Sequence, residues 1–114
     1  MRKELNEAAE LLRTTTPEAY AFLYGSNAYP EVSGAAYLYP LWSGTLMLVE
    51  ISGLPFSEES CAERVFGFHI HEGRTCTGTK DEPFADTGSH FNPEGCPHPE
   101  HSGDLPPLFG NRGY

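Results

Sequence analysis

The hexapeptide Gly67-Phe68-His69-Ile70-His71-Glu72 sets two imidazoles on either side of an isoleucine. In an extended strand successive side chains alternate, so His69 and His71 share one face while Ile70 takes the other. Two ring nitrogens on one face can chelate a metal. The same pattern also fits two histidines at the edge of a sheet, so the pair gains meaning only from what surrounds it.

Working upstream, residues 65–72 form the last of four runs with strand character. The others are residues 19–24, 35–39 and 45–52, rich in Tyr, Leu, Phe, Val and Ile. Gly25-Ser26-Asn27 divides the first pair, and Pro40 with Trp42-Ser43-Gly44 divides the second, which makes antiparallel neighbours the natural reading. Residues 55–64, with Glu58, Glu59, Glu63 and Cys61, read as a solvated loop. Before the first strand, Leu5, Ala8, Ala9, Leu11 and Leu12 recur at helical spacing, so a short amphipathic helix is expected over residues 2–13, inside an N-terminal extension 1–16. Such a segment is expected to dock on its own core.

Downstream of Glu72 the periodicity stops. Residues 73–107 are dominated by Gly, Pro, Thr, Asp and His, and an irregular stretch of that length is either functional or disordered. It carries His90, His98, His101 and Asp104, so with His69 and His71 all five histidines and one aspartate form a ligand-like inventory. Imidazole suits both zinc and copper, and a carboxylate completes a tetrahedral zinc set. Cys96 is a rival donor to His98, because thiolate also binds zinc well; it could equally be a plain loop thiol or pair with Cys76. With Cys61, the chain has three cysteines, so at most one internal disulfide can form.

The bulk composition narrows the function classes. A length of 114 residues suits a single domain, and twelve glycines with ten prolines favour short strands and turns. A net charge of −9 repels nucleic acid and anionic membrane surfaces, so neither is an expected partner. No apolar run is long enough to span a membrane, and the N-terminus lacks the apolar stretch of a signal peptide. A cytoplasmic location is therefore expected, or a secreted or periplasmic one where a leader has been removed.

Three motifs in order resemble the copper/zinc superoxide dismutase family, particularly its bacterial branch: Gly67-Phe68-His69-Ile70-His71-Glu72, then His90-Phe91-Asn92-Pro93, then His101-Ser102-Gly103-Asp104-Leu105-Pro106. Val32-Ser33-Gly34 and Val49-Glu50-Ile51-Ser52-Gly53-Leu54 are similar to the family's early strands in order and spacing. The resemblance implies an all-β Greek-key β-sandwich, here incomplete with about half of the strands present, a short N-terminal helix and a metal-binding loop over residues 73–107. It implies that His69, His71 and His90 hold the catalytic copper, and that His90 bridges to zinc held by His98, His101 and Asp104. Cys76 occupies the place of the loop cysteine that the family uses in a disulfide.

The implied reaction is disproportionation of superoxide to dioxygen and hydrogen peroxide, with copper and zinc as cofactors and superoxide as the small-molecule partner. This chain departs from the family in three respects: it shows no fourth copper histidine, no active-site arginine and no counterpart of the cysteine that pairs with the Cys76 position in the family. Two readings follow, a chain cut short relative to the family or a natural short relative that forms a homodimer to bury its open sheet face. The same departures support an alternative function, a copper/zinc-binding relative without efficient catalysis. A zinc-only structural domain using Cys96, His98, His101 and Asp104 is a third. Between Glu72 and Asp104 two basic residues face seven acidic ones, so attraction of an anionic substrate would depend on the bound cations.

Overall fold

A computed structural model describes residues 2–59, 61–62 and 64–114. The chain forms two compact units, one running from the N-terminal residues to Pro55 together with Arg112–Tyr114, the other comprising Phe56–Asn111.

The first unit opens with helix α1, Arg2–Thr14, one residue longer than the sequence predicts. Thr14 and Thr15 turn their hydroxyls back onto the carbonyls of Glu10 and Leu11, and Arg13 pairs with Glu10 one turn earlier. Pro17 then stops the helix, since the residue before a proline is pushed out of helical backbone. The expected apolar stripe is only partly used. Ala8 and Leu11 are half-buried while Leu5 and Leu12 remain exposed, and the Glu7 carboxylate accepts the Trp42 amide at 2.9 Å, tying the helix to the strand hairpin.

Three strands follow as an antiparallel meander: β1 (Ala19–Tyr24), β2 (Ser33–Leu41) and β3 (Gly44–Ser52), in the order β1-β2-β3. All three were expected, with β2 and β3 slightly longer than their apolar runs. The register sets Phe22 opposite Ala35 and Ala35 opposite Glu50, so Tyr20, Phe22, Tyr24, Tyr37 and Leu48 share a face. Pro40 lies beyond Leu38, the last β2 residue paired with β1, so its missing N–H costs that ladder nothing. Among the described residues the core is thin: Ala35 and Tyr39, each 8% exposed, are its buried apolar members.

The second unit departs from expectation. The strand anticipated over residues 65–72 is regular only at β4, Val65–Phe66, which pairs antiparallel with a short strand that the sequence did not announce, β5 (Leu108–Phe109). Two features end this ladder. Gly67 follows on one side, and Pro106-Pro107 on the other offers no backbone N–H to continue it. Beyond the break, His69 forms an isolated antiparallel bridge with Asp104, and His71 forms one with His90. The histidine stretch therefore pairs with two different segments in succession instead of one continuous partner. Residues 73–107 are otherwise irregular, with a single 3₁₀ turn at Ala85–Thr87. Among the described residues no helix is long and apolar enough to cross a membrane.

Candidate metal centre

Three stretches of backbone carry the donors, and they are closed on one another by a ring of three hydrogen bonds. The Ile70 amide donates to Gly103 O, the Gly103 amide to Phe91 O, and the Phe91 amide to Ile70 O, each at 2.8 Å. Residues next to each corner carry the donors: His69 and His71 beside Ile70, His90 beside Phe91, and His101 and Asp104 around Gly103. Gly103 is buried, and a Cβ there would lie 2.4 Å from Ile70 O, so only glycine lets the third stretch approach so closely. In the sequence this glycine is marked only by its place between two candidate ligands, His101 and Asp104.

Around this ring the imidazoles gather. His90 stacks on His69 with ring centroids 3.9 Å apart and meets His71 edge-on at 5.0 Å, so the two histidines of the hexapeptide do face a common third one. On its other side, His90 Nδ1 lies 2.8 Å from Asp104 Oδ1. His101 Nδ1 and His98 Nδ1 lie 3.2 Å and 3.5 Å from Asp104 Oδ2. His90, His98, His101 and Asp104 each offer one ligand atom, all within 4.8 Å of one another, a donor group that could hold a metal ion. His98 is the peripheral member, with its side chain 63% exposed against 8% for Asp104.

The electrostatics of this group are unfinished without a cation. Burial pushes the Asp104 carboxyl up, but the His101 amide, the hydrogen bond from His90 and the charges of both rings outweigh it and hold the carboxyl below its ordinary value. The carboxylate is thus a fixed negative charge. His101 Nδ1 is buried beside it yet makes no hydrogen bond, because its approach to Oδ2 is close but misaligned. A buried ring nitrogen left without a partner beside a carboxylate is costly, and a cation between them would satisfy both. On the opposite side of His90, burial and then the His90 ring lower the His69 pKa, with Asp104 opposing, so that imidazole favours its neutral, lone-pair-bearing form. The donor set fits a divalent cation.

Two further contacts organise the loop. His71 Nδ1 approaches Gly88 O at 2.9 Å, and the Asn92 side chain both accepts the Cys96 amide and donates to the Cys96 carbonyl, bracing the turn that leads to His98. Among the described residues Cys96 does not join the donor group. Cys61, Cys76 and Cys96 are all free thiols.

A family model for copper/zinc superoxide dismutase matches residues 32–114. No curated protein and no solved structure matches the chain. The family domain is a β-sandwich, and the antiparallel strands described above supply part of one. The match takes in all six candidate ligands and most of the sequence, and the chain belongs to the copper/zinc superoxide dismutase family.

Proposed function

We propose that the chain disproportionates superoxide, with His69, His71 and His90 as copper ligands and His90, His98, His101 and Asp104 as the zinc set. The observation that carries this reading is the double placement of His90, stacked 3.9 Å from His69 on one side and 2.8 Å from Asp104 on the other. Bound copper would supply the one-electron couple that oxidises one superoxide to dioxygen and reduces the next to hydrogen peroxide, and bound zinc would order the loop. The rest falls to the chain. Asp104, 2.8 Å from His90 Nδ1, turns that nitrogen toward the zinc set, which leaves His90 Nε2 as the atom that can hold and release a proton near the reacting anion. His69, whose burial favours the neutral ring, and His71 bring two further ring nitrogens to that side.

A second reading, a copper- and zinc-binding relative without efficient turnover, is favoured by the histidine count. With His98 and His101 on the zinc side, this chain's five histidines leave three imidazoles for copper. Loading with one equivalent each of copper and zinc separates the two. Superoxide consumption at a rate proportional to bound copper supports the enzyme; stoichiometric binding with no consumption above free buffer supports the binder and overturns catalysis.

A further inference from the structure

His71 is held from behind by two groups on one short turn. Its Nδ1 lies 2.9 Å from Gly88 O and 3.2 Å from Thr87 Oγ1. A carbonyl can only accept, so Nδ1 must carry the hydrogen. The Thr87 hydroxyl has one proton of its own, and it is directed to Phe84 O at 2.7 Å, so toward His71 Oγ1 presents a lone pair. Both neighbours therefore demand the same tautomer, protonated at Nδ1, which leaves Nε2 unprotonated and free to bind a metal.

The turn is well anchored for this purpose. The Thr87 amide donates to Phe84 O at 3.0 Å, and the Gly73 amide donates to Thr87 O at 2.7 Å, which fastens the 3₁₀ turn to the chain just after His71. A Cβ at Gly73 would sit 2.5 Å from Thr87 O, so that close attachment requires glycine. Gly88 follows with φ of 72°, a left-handed conformation that lets its carbonyl and the Thr87 side chain reach the same ring.

We propose that Thr87 is a positioning residue for the copper side of the centre: its hydroxyl shares the Nδ1 hydrogen of His71 with the Gly88 carbonyl, and so fixes the tautomer and tilt of that imidazole. The proposal rests on the copper reading above, but its first test does not need copper. Long-range proton–nitrogen correlation spectra of the metal-free full chain report the tautomer of His71 directly. Wild type and Thr87→Ser should show Nδ1 protonated; Thr87→Val keeps the Gly88 carbonyl as the sole acceptor, so its Nδ1-protonated fraction should fall measurably below that of wild type while the resonances of β1–β3 stay in place. In copper titrations Thr87→Val should raise the copper(II) dissociation constant by about 10-fold, the lower end of what lost outer-shell partners cost, and Thr87→Ser should restore it. A Thr87→Val protein that keeps both the wild-type tautomer and the wild-type copper affinity overturns the proposal. Should that variant lose its fold, Thr87→Ala takes its place under the same criteria, and a wild-type His71 protonated at Nε2 contradicts the proposal with either variant. A wild-type chain that binds no copper defeats the copper reading instead, and the tautomer spectra then stand alone as the measure of Thr87.

Discussion

The meander of β1–β3 and the histidine loop are built on opposite principles. In the meander every position is set by ladder hydrogen bonds and by which residues share a face; its side chains are largely apolar, and many of the aromatic ones stay exposed, Phe22 at 71%. In the loop there is almost no ladder. Order comes instead from single backbone bonds between distant segments and from polar side chains that meet around Asp104. The meander joins its three strands through backbone ladders without a ligand, whereas the loop contains a buried nitrogen with no partner and a carboxylate facing three imidazoles. Regular backbone can stabilise itself locally, but an irregular stretch of this length has to draw stability from what it binds.

Metal removal should separate the two regions most sharply. Structural zinc contributes on the order of 10 kcal/mol in small zinc domains, so stripping a zinc-loaded chain with a chelator should speed amide exchange at Ile70, Phe91 and Gly103 by orders of magnitude. Amides in the centre of β2 should change little. Equal loss of protection in both regions would show that the loop does not depend on metal more than the sheet does.

A smaller but still large effect is expected from Asp104→Asn. It removes the negative charge that all three imidazoles face, and zinc affinity measured by competition with a chromophoric chelator should fall by more than about 100-fold, beyond the usual cost of an outer-shell change. Retention of wild-type affinity would place the zinc elsewhere.

Next comes Gly103→Ala, whose new Cβ must push Ile70 O away from 2.4 Å. Crowding of this kind costs about 1–3 kcal/mol. Chemical denaturation of the metal-free protein should register that loss, with zinc affinity falling alongside it. An unchanged midpoint would mean that the ring of three hydrogen bonds does not hold the segments together.

The smallest effect should come from the sheet. Phe22→Ser removes an exposed ring that meets Tyr20 edge-on at 5.6 Å, so stability should drop by about 1 kcal/mol or less and zinc affinity should stay unchanged. A large change in metal binding from this substitution would erase the contrast between the regions.

The same contrast explains how much could be read from sequence. Helix α1 and strands β1–β3 were legible because their apolar runs are long and are bounded by Gly, Pro and Ser at the turns. The break after β4 was not. A run such as Val65-Phe66-Gly67-Phe68-His69-Ile70-His71 looks like one strand until it is known that Pro106-Pro107 lies opposite and that His69 and His71 pair with different segments. For the centre, residue type and spacing were enough to nominate six candidate donors, four of which the fold gathers within 4.8 Å of one another, since imidazole and carboxylate carry their chemistry in the side chain. The supports were hidden for the opposite reason. The Ile70–Gly103–Phe91 ring and the Gly88 carbonyl behind His71 act through backbone atoms that every residue possesses, and glycine is the only mark they leave on the sequence.

X-ray absorption at the zinc edge of the zinc-loaded chain shows whether three imidazoles and the Asp104 carboxylate converge on one cation. Four light-atom ligands, nitrogen and oxygen, are expected at about 2.0–2.1 Å, with one oxygen lost in Asp104→Asn. A sulfur shell near about 2.3 Å would bring Cys96 into the site and contradict that convergence.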